Sequence, residues 1–203
     1  FAELKRSRTT PQQLSRATSG LGPRLEELAA LYEAYQSWLV RLNWSDHEGL
    51  GWLAVNALET DSAVAKRLRL VVVDGFDSFN PTQVALLEAL VDRVGEMLLT
   101  LTGDREMSRL AYRRFARTLA VLDEHLSPRI EVLPARVPPV PALAHLAASL
   151  FESDAGRVPA GSNISFIEAQ NTALEAREAM RWMKARIVRD GVSPARCAIV
   201  ARD

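Results

Sequence analysis

One stretch places chemistry-bearing residues at regular spacing: Leu70 to Gln83, LVVVDGFDSFNPTQ. A short apolar run, Leu70-Val71-Val72-Val73, ends on a carboxylate, Asp74, and then Gly75. Asn80, Pro81 and Gln83 follow as helix-start residues: a cap, a first-turn proline, and a glutamine three residues after the cap. Asp74 therefore stands at the carboxyl end of a strand and before a capped helix, the edge where open α/β sheets bind ligands. An acid there either holds magnesium or simply opens the turn. The apolar run itself predicts a strand buried on both faces.

Other residues offer weaker chemistry. Gly103-Asp104 follows a second apolar run and reads either as a nucleotide-sensing turn or as an ordinary glycine turn. Arg113, Arg114 and Arg117, with Tyr112 and Phe115, make a basic, aromatic helix. Such a helix can stack bases and hold phosphates, or it can present a solvated face with its aromatics turned inward. His47, His125 and His145 are scattered, and one cysteine, Cys197, leaves no zinc spacing and no disulfide. Asp46-His47-Glu48 reads as an acidic first helical turn. Trp38, Trp44, Trp52 and Trp182 read as core.

The elements that must position these groups fall into two kinds. Residues 1–60 carry only helical patterns: a short one near Gln12 to Thr18, an amphipathic one from Arg24 to Leu42, and one from Asp46 to Leu58. The last is opened by a capping box of Ser45 and Glu48. After Thr60, strands alternate with helices. Strands are predicted at Leu68–Val73, Met97–Thr102, Arg129–Leu133, Ile164–Ala169 and Cys197–Ala201. Helices are predicted at Pro81–Arg93, Glu106–Asp123, Ala142–Phe151 and Asn171–Arg189. This alternation predicts an α/β fold with a largely parallel sheet, interrupted by the proline-rich segment from Pro134 to Pro141.

The 203 residues carry 25 Lys+Arg and 25 Asp+Glu, so net charge points to no nucleic-acid or membrane partner. Only Lys5, Lys66 and Lys184 are lysines, a bias that a GC-rich genome explains. No apolar run approaches the ~18 residues of a membrane span, no signal peptide is evident, and a cytoplasmic location is expected. The phosphate-loop pattern G-x-x-x-x-G-K-[ST] occurs nowhere in the chain. A start on Phe1 and a stop just after a strand suggest a piece excised from a longer protein.

Taken together, these features resemble superfamily 1 DNA helicases of the UvrD/Rep type, and most of all their degenerate AddB-type relatives in helicase–nuclease complexes. The helicase Walker B segment reads Asp-Glu-Phe-Gln-Asp-Thr-Asn-x-x-Gln. Asp74, Phe76, Asn80 and Gln83 match it without a gap, Gly75 replaces the water-polarising glutamate, and Asp77, Ser78 and Phe79 replace Gln-Asp-Thr. Gly103 and Asp104 match the next motif, with Met107 in place of its γ-phosphate-sensing glutamine. Tyr112 and Arg113 fall on an aromatic–arginine pair that contacts single-stranded DNA. Leu133-Pro134-Ala135-Arg136 resembles the entry to the second RecA-like domain. The stretch from Ile164, with Glu175 and Glu178, and then Ala198-Ile199-Val200-Ala201-Arg202, is similar to that domain's first strand, helix and motif IV.

The resemblance covers roughly residues 60 to 203. It implies a fragment of P-loop NTPase (RecA-like) domains behind a helical N-terminal subdomain: residues 1–60 an insertion-like helical part, 61–135 part of the first RecA-like domain, 136–203 the start of the second. It implies nucleotide contacts from Asp74, Asp104 and Arg202, a magnesium ligand in Asp74, and single-strand contacts from Tyr112 and Arg113. Magnesium and ATP are expected only in a full-length parent, no cofactor is expected in the piece, and the piece itself is not expected to be active. The implied function is DNA repair and recombination in a helicase/exonuclease, with the motor inactivated by loss of the second acid and the sensor, and with a partner protein from the helicase–nuclease. Two alternatives stand beside it: a fragment of an active UvrD-like helicase, and an unrelated Rossmann-like domain in which residues 60–203 form one continuous sheet.

Overall fold

In the computed structural model the described residues are 1–103, 108–135 and 137–201. They form two compact units, Phe1–Ala135 and Arg136–Asp203. The first begins with four helices: α1 (Ala2–Arg6), α2 (Pro11–Thr18), α3 (Pro23–Leu42) and α4 (His47–Thr60). Strand β1 (Leu70–Val73), helix α5 (Pro81–Val91) and strand β2 (Glu96–Leu99) follow. A 3₁₀ turn, Leu110–Tyr112, leads into α6 (Arg113–Leu126).

β1 and β2 run parallel, with Leu70 opposite Glu96 and Val73 opposite Leu99. The crossover between them is α5, a helix being the usual way to return a parallel neighbour. α5 starts where its sequence says. The Asn80 side chain accepts from the Gln83 amide at 2.9 Å, and the Gln83 side chain accepts from the Asn80 amide at 2.9 Å. α5 is also the hub of the unit, packing against α1, α4 and α6. Its Val84, Ala85 and Leu87 are buried, with Val55 and Leu58 of α4 and Leu122 of α6. Helices α1 and α4 are thus built onto the βαβ element.

A polar knot secures that junction. Lys5 of α1 is buried and its ammonium lies 2.7 Å from Asp46 Oδ2. The Tyr35 hydroxyl donates to the same oxygen at 2.7 Å, and the Gly49 amide donates to Oδ1 at 2.7 Å. The Lys5 carbonyl accepts from Trp52 Nε1 at 2.8 Å and from the Thr82 hydroxyl at 2.9 Å. Partial burial pushes the Asp46 carboxyl up, but hydrogen bonds from Lys5, Tyr35 and Gly49, with the charge of Lys5, outweigh it and hold the group below its ordinary value.

Several expectations fail here. The cap of α4 is Asp46, one residue beyond the expected Ser45, because its carboxylate reaches the Gly49 amide. β1 is not buried on both faces: Leu70 and Val72, with Leu98 of β2, are about half exposed. Burial on both faces needs a helix layer on each side, and the exposure of these three side chains shows that their side is not sealed. Arg129–Leu133 is not a strand, and neither are Ile164–Ala169 or Cys197–Ala201. Apolar runs become strands only when a neighbour completes the ladder, and the described residues hold only the β1–β2 pair. A continuous Rossmann-like sheet over residues 60–203 is therefore not what these residues build. Trp38, Trp44 and Trp182 are exposed rather than core. Trp52 alone of the four is tied into the knot just described.

The second unit carries α7 (Pro141–Ser149), α8 (Thr172–Asp190) and a 3₁₀ turn, Pro194–Arg196. α8 is capped by Asn171, whose side chain accepts from the Leu174 amide at 2.9 Å, and ends on Gly191 in the left-handed region. No helix among the described residues is long and apolar enough to cross a membrane.

Candidate functional site

The carboxyl edge of the sheet opens into a cleft of about 400 Å³. From the turn after β1 come Asp74, Gly75, Phe76 and Asp77; from the segment after β2 come Thr100, Leu101 and Thr102; from α6 comes Phe115. Gly75 has a φ of 80°, so the chain turns out of β1 through a conformation that glycine adopts without strain. That turn lifts Phe76 onto the surface, where its ring stacks on Phe79 with centroids 5.3 Å apart.

Asp74 stands exposed at the mouth of this cleft. Its carboxylate accepts a hydrogen bond from the Thr100 hydroxyl. The Thr100 amide in turn donates to the Val73 carbonyl at 3.0 Å, continuing the ladder by one bond. One carboxylate and one hydroxyl are the hard oxygen donors that magnesium takes, but magnesium in such sites also leans on substrate phosphates. Among the described residues no group of three or more His, Cys, Asp and Glu gathers to hold a metal. Asp74 fits the role of a single protein ligand to a magnesium ion, and no fuller site is assembled around it among those residues.

Asp77 connects this edge to α6. Its carboxylate pairs with the Arg114 guanidinium, and its carbonyl accepts from the Thr118 hydroxyl at 2.7 Å. The hydrogen bond from Arg114 is the main reason its carboxyl lies below the ordinary value; desolvation opposes it, and the charge of Arg114 and a hydrogen bond from Ser78 add to the lowering. These contacts bring the first turn of α6 to the cleft. Arg113, Arg114 and Arg117 are exposed there, while Tyr112 and Phe115 are half-buried. Tyr112 is held from below: its hydroxyl accepts from Arg109 at 3.1 Å, and the Arg109 guanidinium lies 4.9 Å from the ring centroid. Of the helix expected over Glu106–Asp123, Glu106 lies outside the described residues; Ser108 and Arg109 are not helical, and a 3₁₀ turn from Leu110 leads into the α-helix from Arg113.

Asp74 and Phe115 line the same cleft of one unit, and Tyr112 and Arg113 stand at the start of the helix that carries Phe115. Asp104, Met107, Arg136 and Arg202 lie outside the described residues. Sequence reasoning misses Thr100 and the pairing of Asp77 with Arg114. These contacts span 26 and 37 residues respectively, and no local spacing signals contacts of that range. A second, larger cleft of about 480 Å³ lies at the opposite edge, among Lys66, Arg69, Arg93 and Glu96. Its mixed charges favour no ligand. There Gly95 is required, since a Cβ would stand 2.7 Å from the Arg69 carbonyl oxygen.

The family model described as ADDB, N-terminal, matches residues 1–126, well over half of the chain. The chain belongs to the AddB N-terminal family. The match takes in the helical residues 1–60, which the helicase motifs did not reach, and ends with the last residue of α6. Two curated relatives are similar over nearly the whole chain. Each is named as the B subunit of an ATP-dependent helicase/deoxyribonuclease, one from Symbiobacterium thermophilum (27% identical, 99% of this chain) and one from Moorella thermoacetica (28% identical, 100% of this chain). The chain spans 19% and 20% of their respective lengths. The AddB-type relationship follows from the family match, and both relatives carry helicase/deoxyribonuclease names.

Proposed function

We propose that this segment serves a full-length AddB-type protein as a helicase-derived framework that holds single-stranded DNA and carries a partner protein, without driving ATP hydrolysis. The observation that supports this most directly is the edge itself. An acid, Asp74, follows directly on a parallel strand, and the residue after it is a glycine in the left-handed region. Phosphoryl-transfer motors need an acid for magnesium, a water-positioning group, a phosphate loop and an opposing arginine. Asp74 supplies the first, Gly75 cannot supply the second, and Arg202 is the candidate for the last. Asp104 would belong to the same nucleotide edge, and ATP with magnesium would bind only where the parent completes it. The UvrD/Rep ancestry and the RecA-like nature of both units belong to this same reading.

The single-strand contact rests on the first turn of α6, where an exposed arginine, Arg113, adjoins a ring, Tyr112, steadied by Arg109. Base stacking on aromatics beside cations is the sequence-tolerant way to hold a single strand. The test uses the full-length protein with labelled oligo-dT and with ATP. Binding is expected, weakened several-fold by Arg113→Ala at low salt, with no ATP turnover in the presence of the strand. Turnover that Asp74→Ala abolishes would instead identify an active motor. Unchanged affinity in Arg113→Ala would remove that residue from the interface.

A further inference from the structure

The Asp77–Arg114 pair is an odd use of a cation. The Arg114 side chain is 63% accessible to water and the Asp77 side chain 44%, and an ion pair this open to water contributes little to stability. Asp77 is nevertheless held by several groups: Arg114 at its carboxylate, Ser78 Oγ at 3.2 Å and Thr118 at its carbonyl. The result is a guanidinium fork on the basic first turn of α6, between Arg113 and Arg117, one arm of which, Nη1, is engaged by a carboxylate oxygen from a neighbouring loop. A phosphodiester offers the same fork two oxygens. Next to Asp77 in the chain, Phe76 presents an exposed ring braced from behind by Phe79. A base needs such a face, and the backbone spacing of a single strand puts a base and a phosphate within one nucleotide of each other.

Resting on the single-strand reading above, we propose that Phe76 and Arg114 form a further nucleotide subsite for single-stranded DNA. Asp77 occupies the Arg114 fork in the empty protein and yields it to a backbone phosphate when the strand binds. Phe76 stacks one base, Arg114 takes the adjoining phosphate, and Asp77 acts as an internal competitor that lowers affinity. The sign of this effect is its signature. A carboxylate that only positioned α6 would weaken binding when removed, whereas a competitor strengthens it.

The experiment measures affinity for labelled oligo-dT in the full-length protein across a salt series. Asp77→Asn removes the charge and leaves the carbonyl that Thr118 holds. It is expected to tighten binding about three- to tenfold at low salt and to steepen the salt dependence by about one phosphate, a slope change near −0.7 for a single strand. Arg114→Ala is expected to weaken binding and to cancel the gain from Asp77→Asn in the double variant. Phe76→Leu is expected to weaken binding several-fold with the salt slope unchanged. Equal or weaker binding by Asp77→Asn, with its melting transition intact, overturns the competitor role. A gain that survives Arg114→Ala overturns the assignment of the fork, and unchanged affinity in Phe76→Leu overturns the stacking half. If the wild type binds and Arg113→Ala weakens it while Asp77→Asn does nothing, only this inference fails. If the wild type does not bind oligo-dT, the single-strand reading fails and takes this one with it.

Discussion

At the scale of single residues, the largest energetic stake lies away from the cleft, at Asp46. This one carboxylate caps α4, neutralises buried Lys5 and accepts from Tyr35. Asp46→Ala would leave an ammonium buried without its counter-charge and a helix without its cap. Removing one partner of a buried pair and a capping side chain together is expected to cost roughly 3–4 kcal/mol, read as a fall in the denaturant midpoint at unchanged slope. The same carboxyl sets an acid limit. Its value is held below the ordinary 3.8 in the folded chain, so the unfolded chain binds the proton first and folding gains stability only where the group is ionised. That contribution is complete above about pH 5 and fades as pH falls through 3.8 toward the folded value. Melting temperatures measured from pH 6 to pH 3 are expected to fall more steeply in the wild type than in Asp46→Asn, which has no proton to gain there. Parallel profiles would remove Asp46 from the acid sensitivity.

At the scale of elements, the best-placed helix is the one with both of its start signals in sequence. Asn80 and Gln83 exchange side-chain hydrogen bonds with each other's amides, and Pro81 occupies the first turn. Asn80→Ala is expected to cost about 1 kcal/mol in equilibrium unfolding. Because α5 packs on α1, α4 and α6, hydrogen exchange should rise in all four helices and not only at the start of α5. The contrast with the failed strands explains what can be read in advance. A cap, a first-turn proline or a terminal glycine acts within four residues, so α5 and α8 are visible in the chain alone. Ile164–Ala169 and Cys197–Ala201 have the apolar, β-branched composition of strands, but strand formation depends on a neighbour that composition does not name. The site divides the same way. Asp74 announces itself by ending an apolar run, while Thr100 and Arg114 reach the edge through contacts 26 and 37 residues apart in the chain. Lys5 gives no signal either, since a charged residue in a short polar helix ordinarily points to water.

At the scale of the whole molecule, the chain divides into two units that differ in how much they bury. In the first, α5 collects buried side chains from several helices, and the knot around Lys5 and Asp46 ties residues 5, 35, 46, 52 and 82 together. In the second, α8 has no buried residue, and Ala142 of α7 is the buried apolar side chain among those described. Burial is the main favourable term in folding, so the first unit should hold its structure without the second. The segment after α6 offers the place to separate them. Arg129–Leu133 is non-helical, and Ile130, Val132 and Leu133 are exposed with no ladder to protect their amides. Thermolysin, which cuts before apolar residues in exposed, unfolded segments, is expected to cleave before Ile130 or Val132 under native conditions. The N-terminal product is expected to keep a cooperative melt and the far-ultraviolet signal of α1 to α6, while the C-terminal product is degraded further. First cuts within α4 or α5 would show that the Lys5–Asp46 junction does not hold the first unit together by itself. Loss of the cooperative melt in the product would show that its stability depends on residues 136–203.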